Sequence, residues 1–529
     1  MGLKILLHLF PLLGLAHALV LARTPTPCAK LPKPHIPGAK VISITGEEKH
    51  NLTVLQQPPT LPIDVEALNI CEVNVTLTHP GAFDTVLVQA WLPLDTWNER
   101  FVALGGSGWL AGPGSAGLAI PASEGYVAAF TDAGLPGGNA VSPELWALGP
   151  DGKVSTELLE NFASRSVHDL AVVGKALIKA FYGCPAKYSF WDGCSTGGRQ
   201  GLVEAQKYPR DFDGILASAP AIYWPEYVMA ELWPQVVMYE AGYYPSRCVL
   251  DNIVNAAISA CDAEDGVEDG VVAEPAKCKF DLSTVIGTSV ICDGGEHVEI
   301  TEQAASIVRK MWEGPTTSDG KQLWHGMPIG ASLADLSASQ DVNGTAAGSP
   351  FFVPDTWARY FILEDPDFNA ANINTEKFIS LFRKSKKRFD SIIGSANPDL
   401  SGFKKAGGKL LVWHGLSDQL IYPQDSEQYY REVQHVTGYI EDTFRLFLAP
   451  GVDHCGAGFA SIAPGAVPKN PFRDLVTWVE SGKRPDALEA ATTPNAKTQF
   501  TRKICAYPRM AVLHEGEDPT VAESYECAL

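Results

Sequence analysis

The sequence predicts an α/β fold, a mainly parallel sheet flanked by helices and interrupted by one large insertion. Three observations carry this expectation. Short apolar strand candidates alternate with helix-compatible runs on both flanks of the chain, the pattern that builds parallel sheets. A Gly-x-Ser-x-Gly turn, Gly193-Cys194-Ser195-Thr196-Gly197, stands between a strand candidate and a helix candidate. Residues 225–400 lose the short strands and read instead as aromatic-rich helices and long polar loops. With 46% hydrophobic and 19% charged residues over 529 positions, the chain can bury a large core and is not expected to be disordered.

The elements follow in chain order. Lys4, the apolar stretch 5–15 and the small-x-small triplet Ala16-His17-Ala18 read as a secretory signal over residues 1–18, with Ala22 as a later cleavage option. That stretch is too short, and too broken by Pro11 and His17, to span a bilayer well. Residues 23–63 are rich in Pro, Thr and Lys and read as an extended lead-in. Residues 70–104 alternate apolar and polar positions, as half-buried strands do, and 100–104 runs into Gly105-Gly106-Ser107-Gly108. A helix is expected over 170–182, a strand over 187–191, a helix over 199–207 and a buried strand over 214–218. The alternation resumes with a strand at 409–413, a helix at 424–437 and a strand at 444–448. Residues 23–224 and 401–529 are therefore assigned to one catalytic domain, and 225–400 to an inserted lid.

Forty-one Lys and Arg against 61 Asp and Glu leave a net charge of −20, which repels phosphate backbones and anionic membranes. No nucleic-acid or membrane partner is expected. The basic run 383–388 reads as a solvated helix face, with a dibasic cleavage point at Lys387-Arg388 as the alternative. Eleven cysteines, and sequons at Asn51, Asn74 and Asn343, suit an exported glycoprotein. An odd count leaves at least one cysteine without an intramolecular partner.

The chemistry centres on Ser195. A sharp strand–turn–helix elbow lifts a serine hydroxyl above the sheet edge, as in the α/β-hydrolase fold, and small residues at the glycine positions permit the turn. The Thr196 N–H, at the helix start, then points at a developing oxyanion. A serine needs a base, and the base needs an orienting acid, in the order Ser, Asp or Glu, His. Asp418 and His454 lie in the loops after two successive strand candidates. His414 and His168 are rival bases, and Asp425 and Asp453 rival acids. Cys194 precedes the serine and Cys455 follows the histidine. A Ser195–His454 contact would bring those cysteines into bridging range.

The Cys194-Ser195, Asp418 and His454-Cys455 arrangement resembles that of the tannase and feruloyl esterase family of secreted serine esterases. The likeness extends to the Gly105–Gly108 loop, to 213–220 and to an acidic segment. It implies Ser195 as nucleophile, His454 as base and then acid, Asp418 as orienter, and a Cys194–Cys455 disulfide. It also implies oxyanion donors from Thr196 and from the Gly105–Gly108 loop, taken at Gly106.

The acidic segment runs from Cys261 to Val271 and is dense in oxygen ligands. Alone it reads as a solvated loop whose ligand types would favour Ca²⁺ over Zn²⁺. The resemblance implies a structural Ca²⁺ held by Asp262, Asp265, Asp269 and the carbonyls of Val267 and Val271. Beside it stand bridges Cys261–Cys278, Cys28–Cys71 and Cys505–Cys527. Pairing among Cys184, Cys248 and Cys292 stays open, with Cys248–Cys292 the reading that leaves Cys184 free.

The expected function is a secreted serine esterase cleaving feruloyl, hydroxycinnamoyl or galloyl esters through an acyl-enzyme, on a small ester or on decorated polysaccharide or tannin. The alternatives are a specialised ester, a serine peptidase, or a non-catalytic calcium-binding protein. Tyr223, Trp224, Tyr227 and Trp233 are candidates for the wall of the aromatic pocket, or for lid–core packing.

Overall fold

Nine strands build the central sheet of the computed structural model, which describes residues 26–57, 62–456, 464–494, 496 and 498–529. In chain order they are β1 (Lys40–Val54), β2 (Val65–Thr78), β3 (Val86–Pro93), β4 (Arg100–Leu104), β5 (Val127–Thr131), β6 (Tyr188–Cys194), β7 (Gly214–Ser218), β8 (Lys409–Gly415) and β9 (Phe444–Ala449). Their order across the sheet is β1-β2-β3-β5-β4-β6-β7-β8-β9. The first three pairings are antiparallel, and every pairing from β5 to β9 is parallel. This is the α/β-hydrolase-like sheet that the alternation predicts.

The parallel strands β4, β6, β7 and β8 are buried almost throughout, because helices cover both faces. The helix Ser166–Tyr182 supplies Val167, Leu170, Val173 and Leu177 to one face. The helix Pro471–Ser481 supplies Leu475 and Trp478 to the other. Strand boundaries differ from expectation in a few places. The lead-in 23–63 contains β1, an edge strand whose Glu47, Glu48, Lys49 and His50 hide its pairing with β2. The helix assigned to 199–207 begins at Thr196, directly on the elbow. β8 extends to Gly415, so His414 lies inside the strand. The signal assigned to 1–18 lies outside the described residues.

Between β7 and β8 the chain leaves the sheet and builds the lid. Its longer helices are Trp233–Ala241, Arg247–Cys261, Glu302–Glu313 and Thr375–Ile393, with the short helix Trp224–Ala230 leading in. Two small hairpins, Ser289–Ile291 with His297–Glu299 and Ser339–Val342 with Thr345–Gly348, complete it. The lid has its own apolar core, which also takes in Trp109, Trp146 and Phe162 from the catalytic flank. Trp109 stacks on Phe361, with ring centroids 5.3 Å apart. Among the described residues no helix is long and apolar enough to cross a membrane.

Candidate active site

Ser195 sits on the end of β6 with φ 61° and ψ −121°, a left-handed conformation that a side chain adopts only under constraint. The surroundings supply that constraint. Its N–H donates to Ser218 O at 3.0 Å, and its carbonyl accepts from Arg199 N at 3.0 Å and Ala221 N at 3.2 Å. The strand and helix approach so closely that a Cβ on Gly193 would lie 2.5 Å from Gly197 backbone atoms. Glycine is required there by the packing of the turn against itself.

Asp418 lies fully buried in the loop after β8. Its Oδ2 takes His454 Nδ1 at 2.7 Å and His414 Nε2 at 3.1 Å. Its Oδ1 accepts the N–H groups of Leu420 and Ile421, both at 2.9 Å. Burial pushes this carboxyl up, but the charge of His454 and the hydrogen bonds from both histidines outweigh it, and it stays well below the usual range. Burial alone would push His454 down; the charge and hydrogen bond of Asp418 prevail and raise it above the ordinary histidine value. With Nδ1 held by Asp418, Nε2 is the ring nitrogen free to move a proton.

The rivals find other places. His414 is bonded on both ring nitrogens, Nδ1 to Ser426 Oγ at 2.7 Å and Nε2 to Ile421 O at 2.9 Å as well as to Asp418. It is a partner of the acid, and no sequence signal identified it as one. His168 bonds Asp211 and stacks on Tyr208, 4.2 Å between ring centroids.

Cys194 and Cys455 form a disulfide with Cα atoms 6.1 Å apart, tying the serine's strand to the histidine's loop. Thr196 anchors the elbow through Oγ1, which donates to Gly108 O at 2.7 Å. The expectation for Gly106 is corrected. Its N–H donates to Gln200 Oε1 at 2.9 Å and its carbonyl accepts from Gly197 N at 3.0 Å, so it clamps the loop to the helix and has no N–H to offer an oxyanion. Arg199, one turn after the serine and fully buried, fixes the same helix from the other side. Its guanidinium donates to Ala163 O and Phe162 O and sits over the Phe162 and Trp224 rings.

The sequence pattern of "Tannase and feruloyl esterase" matches residues 71–528. The chain belongs to the tannase and feruloyl esterase family. It is 44% identical over 99% of its length to a probable feruloyl esterase of Arthroderma benhamiae, of which it covers 98%. It is 27% identical to a tannase of Aspergillus oryzae, over 83% of this chain and 82% of that one. Among solved structures, the tannin acyl hydrolase of Aspergillus niger superposes with a TM-score of 0.83 at 26% identity, covering 94% of this chain and 93% of that one. Feruloyl esterase B of Aspergillus oryzae superposes at 0.75 and 25% identity, covering 93% and 97%. The protein is a carboxylesterase of this family.

The other bridges of this family member are Cys28–Cys71, Cys248–Cys292, Cys261–Cys278 and Cys505–Cys527, and Cys184 is free and exposed. In the acidic loop, Asp262 accepts the N–H groups of Asp269, Gly270 and Val271, Asp265 accepts that of Val267, and Asp269 pairs with Arg502. Asp265 and Asp269 are raised, by burial first, Asp265 also by repulsion from Asp262 and Asp269 by repulsion from Asp265 and Asp262. Such crowding of carboxylates, Asp262 and Asp269 half-buried and Asp265 exposed, offers the oxygen donors a hard cation takes, and among the described residues no three acidic, His or Cys side chains stand in ligating positions. Beside this loop lies a cavity of about 350 Å³, walled by Arg431, Phe500, Arg502 and Tyr507, which none of Ser195, Asp418 and His454 lines.

Of the aromatic candidates, Trp224 is locked among Trp109, Phe162 and Trp357, and Trp233 donates to Lys310 O and packs on Phe378. Tyr223 donates to Glu432. Packing accounts for these three. Asn51 and Asn343 are exposed, whereas Asn74 is half-buried and accepts from Gln89 Nε2. Arg388 lies within a long helix and pairs with Glu364.

Proposed function

We infer that this enzyme is a secreted serine carboxylesterase that cleaves aromatic esters, hydroxycinnamoyl or galloyl, through an acyl-enzyme. The observation that carries the reading is the Asp418–His454 pair, tied by the Cys194–Cys455 bridge to a serine on a strained elbow. His454 Nε2 takes the Ser195 proton as Oγ attacks the ester carbonyl, then passes it to the departing alcohol. Water, activated by the same nitrogen, attacks the acyl-enzyme and releases the acid. The Thr196 N–H is one oxyanion donor. The next amide along the glycine loop after Gly106, that of Ser107, makes no hydrogen bond among the described residues and is available as the second.

The aromatic acyl group is supported by the feruloyl esterases and tannases among the relatives. Secretion is supported by the five disulfides and the N-terminal signal pattern. A Ca²⁺ ion would be held by Asp262, Asp265 and Asp269 with the Val267 and Val271 carbonyls. It would supply charge neutralisation that ties the loop of the Cys261–Cys278 bridge. The test is a panel of methyl ferulate, a gallate ester, an alkyl ester and a peptide amide. Hydrolysis of the aromatic esters with Ser195 labelled by a fluorophosphonate is expected. Hydrolysis of the amide or the alkyl ester alone refutes the reading.

A further inference from the structure

The residue after the acid reaches the base as well. Gln419 is fully buried, and its Oε1 accepts the His454 N–H at 3.2 Å. Asp418 and Gln419 therefore hold one histidine at two points, Asp418 by the ring and Gln419 by the main chain. The other end of the Gln419 amide lies against the lid, where Nε2 donates to Asp335 Oδ2 at 3.2 Å. Asp335 stands on a lid segment that is itself pinned. Gln235, from the lid helix Trp233–Ala241, donates to Leu336 O at 2.9 Å and to Ala338 O at 3.0 Å. Leu333 and Leu336, on either side of Asp335, are buried in the lid core.

The order of donors and acceptors gives this chain of bonds a direction. A primary amide offers an acceptor at one corner and donors at the other, so its neighbours decide which way it faces. A carboxylate only accepts, and a main-chain N–H only donates. With Asp335 on one side, Nε2 must face the lid, and Oε1 is left facing the His454 N–H. Without Asp335 the amide is free to turn over and set its NH₂ against the His454 N–H, two donors face to face. The base is sensitive to such a change. The residue after it, Cys455, holds φ at 59°, so the turn that carries His454 is tight. A shift of the His454 main chain carries the ring with it, and about 1 Å is enough to cost about a hundredfold in rate.

We propose that Gln419 is a positioning residue for the general base, and that Asp335 fixes the sense in which its amide faces, so that the placement of His454 depends on the lid being seated. Neither is a catalytic residue, since both act through the His454 main chain. The inference rests on the reading of His454 as base given above.

The test is a double-mutant cycle on kcat, with the ester of the panel above that the native enzyme cleaves fastest. Gln419→Met, similar in size and without an amide, should lower kcat by about 10–100-fold while KM stays within about threefold. Asp335→Leu should lower kcat by about tenfold in the native background but by less than about twofold in Gln419→Met, because the two act as one unit. Asp335→Asn, which keeps an acceptor for Nε2, should recover most of that loss. Asp418 still holds Nδ1 in every variant, so the acid limb of the pH profile should stay at its native position. Equal losses from Asp335→Leu in both backgrounds, a native kcat in Gln419→Met, or losses confined to KM overturn the proposal. Should Gln419→Met fail to fold, the contrast between Asp335→Leu and Asp335→Asn decides alone, and equal kcat in the two overturns it. Near-native turnover in His454→Ala refutes the reading of the base itself, whatever the cycle gives.

Discussion

Replacing Asp418 by Asn keeps shape and removes one function. Oδ1 of the asparagine can still accept the Leu420 and Ile421 N–H groups. The amide nitrogen then takes the position of Oδ2, 2.7 Å from His454 Nδ1 and 3.1 Å from His414 Nε2. An NH₂ group can only donate, so His454 must accept on Nδ1 and carry its proton on Nε2. That is the wrong tautomer for a base. In a triad this change lowers kcat by about 10⁴, or about 5.5 kcal/mol of barrier. The pH profile gives a second reading. Asp418 raises the pKa of His454 above 6.5, so the acid limb of the native rate profile should lie above that value. The limb should move down in the variant, where the supporting negative charge is gone. Stopped assays on methyl ferulate from pH 5 to 9, with circular dichroism as a control for folding, check both. A folded Asp418→Asn enzyme within tenfold of native kcat would refute the assignment of acid and base.

Three further outcomes are expected. Replacing Cys194 and Cys455 together by Ala should lower kcat by about a hundredfold at temperatures where the protein stays folded, because a displacement near 1 Å is enough; peptide mapping and kinetics check this. Chelation of Ca²⁺ should lower the melting temperature and leave most of kcat, measured below that temperature, since the implied ligands are remote from the serine in the chain. The buried His79 bonds Asp84 at 2.6 Å and Asp169 at 2.9 Å, which requires both ring nitrogens to donate. Burial lowers the His79 pKa, but the bonds to Asp169 and Asp84 raise it overall, whereas Asp84 is held at about 2 against burial by Asn161 and His79. The stability from His79 is therefore present below pH 6.5 and lost as pH rises through its higher folded value. That from Asp84, about 2 kcal/mol, is present above pH 3.8 and lost as pH falls toward 2. His79→Gln should accordingly lower the melting temperature more at pH 6 than at pH 9.

The parallel half of the sheet was legible because its strands are nearly all apolar and are bounded by glycine or by turns. β1 was not, because an edge strand with one wet face carries the composition of a loop. The elbow, Asp418 and His454 could be located from chain order, and the Cys194–Cys455 bridge from their flanking positions. Gly106 could not be judged, because whether a loop amide is free depends on Gln200, which lies 94 residues away and comes near only in the fold. The second histidine on Asp418 was hidden for a like reason: a histidine within a strand carries no mark of its partner. Trp109, Trp146 and Phe162 belong to the lid core although they precede the lid in sequence, since packing ignores the order in which the chain delivers its rings.

The lid departs after β7 and returns at β8, and these strands are neighbours, with Ser218 paired to Trp413. The first residue out, Ala219, donates its N–H to Trp413 O at 2.8 Å. The two ends of the excursion are thus held side by side by the sheet itself. Lengthening it adds only a logarithmic closure penalty, and its content is free to change without moving a sheet strand. The architecture behaves as a socket: a different excursion grafted between Trp224 and Lys409 keeps Ala221 on the serine's carbonyl and inherits the serine, acid and base. The apolar residues lent by the flank, Trp109, Trp146 and Phe162 with Leu135, Leu159 and Tyr422 among them, would need rematching. New ester specificities in this scaffold are therefore most accessible by exchanging the whole excursion together with the flank residues that share its core.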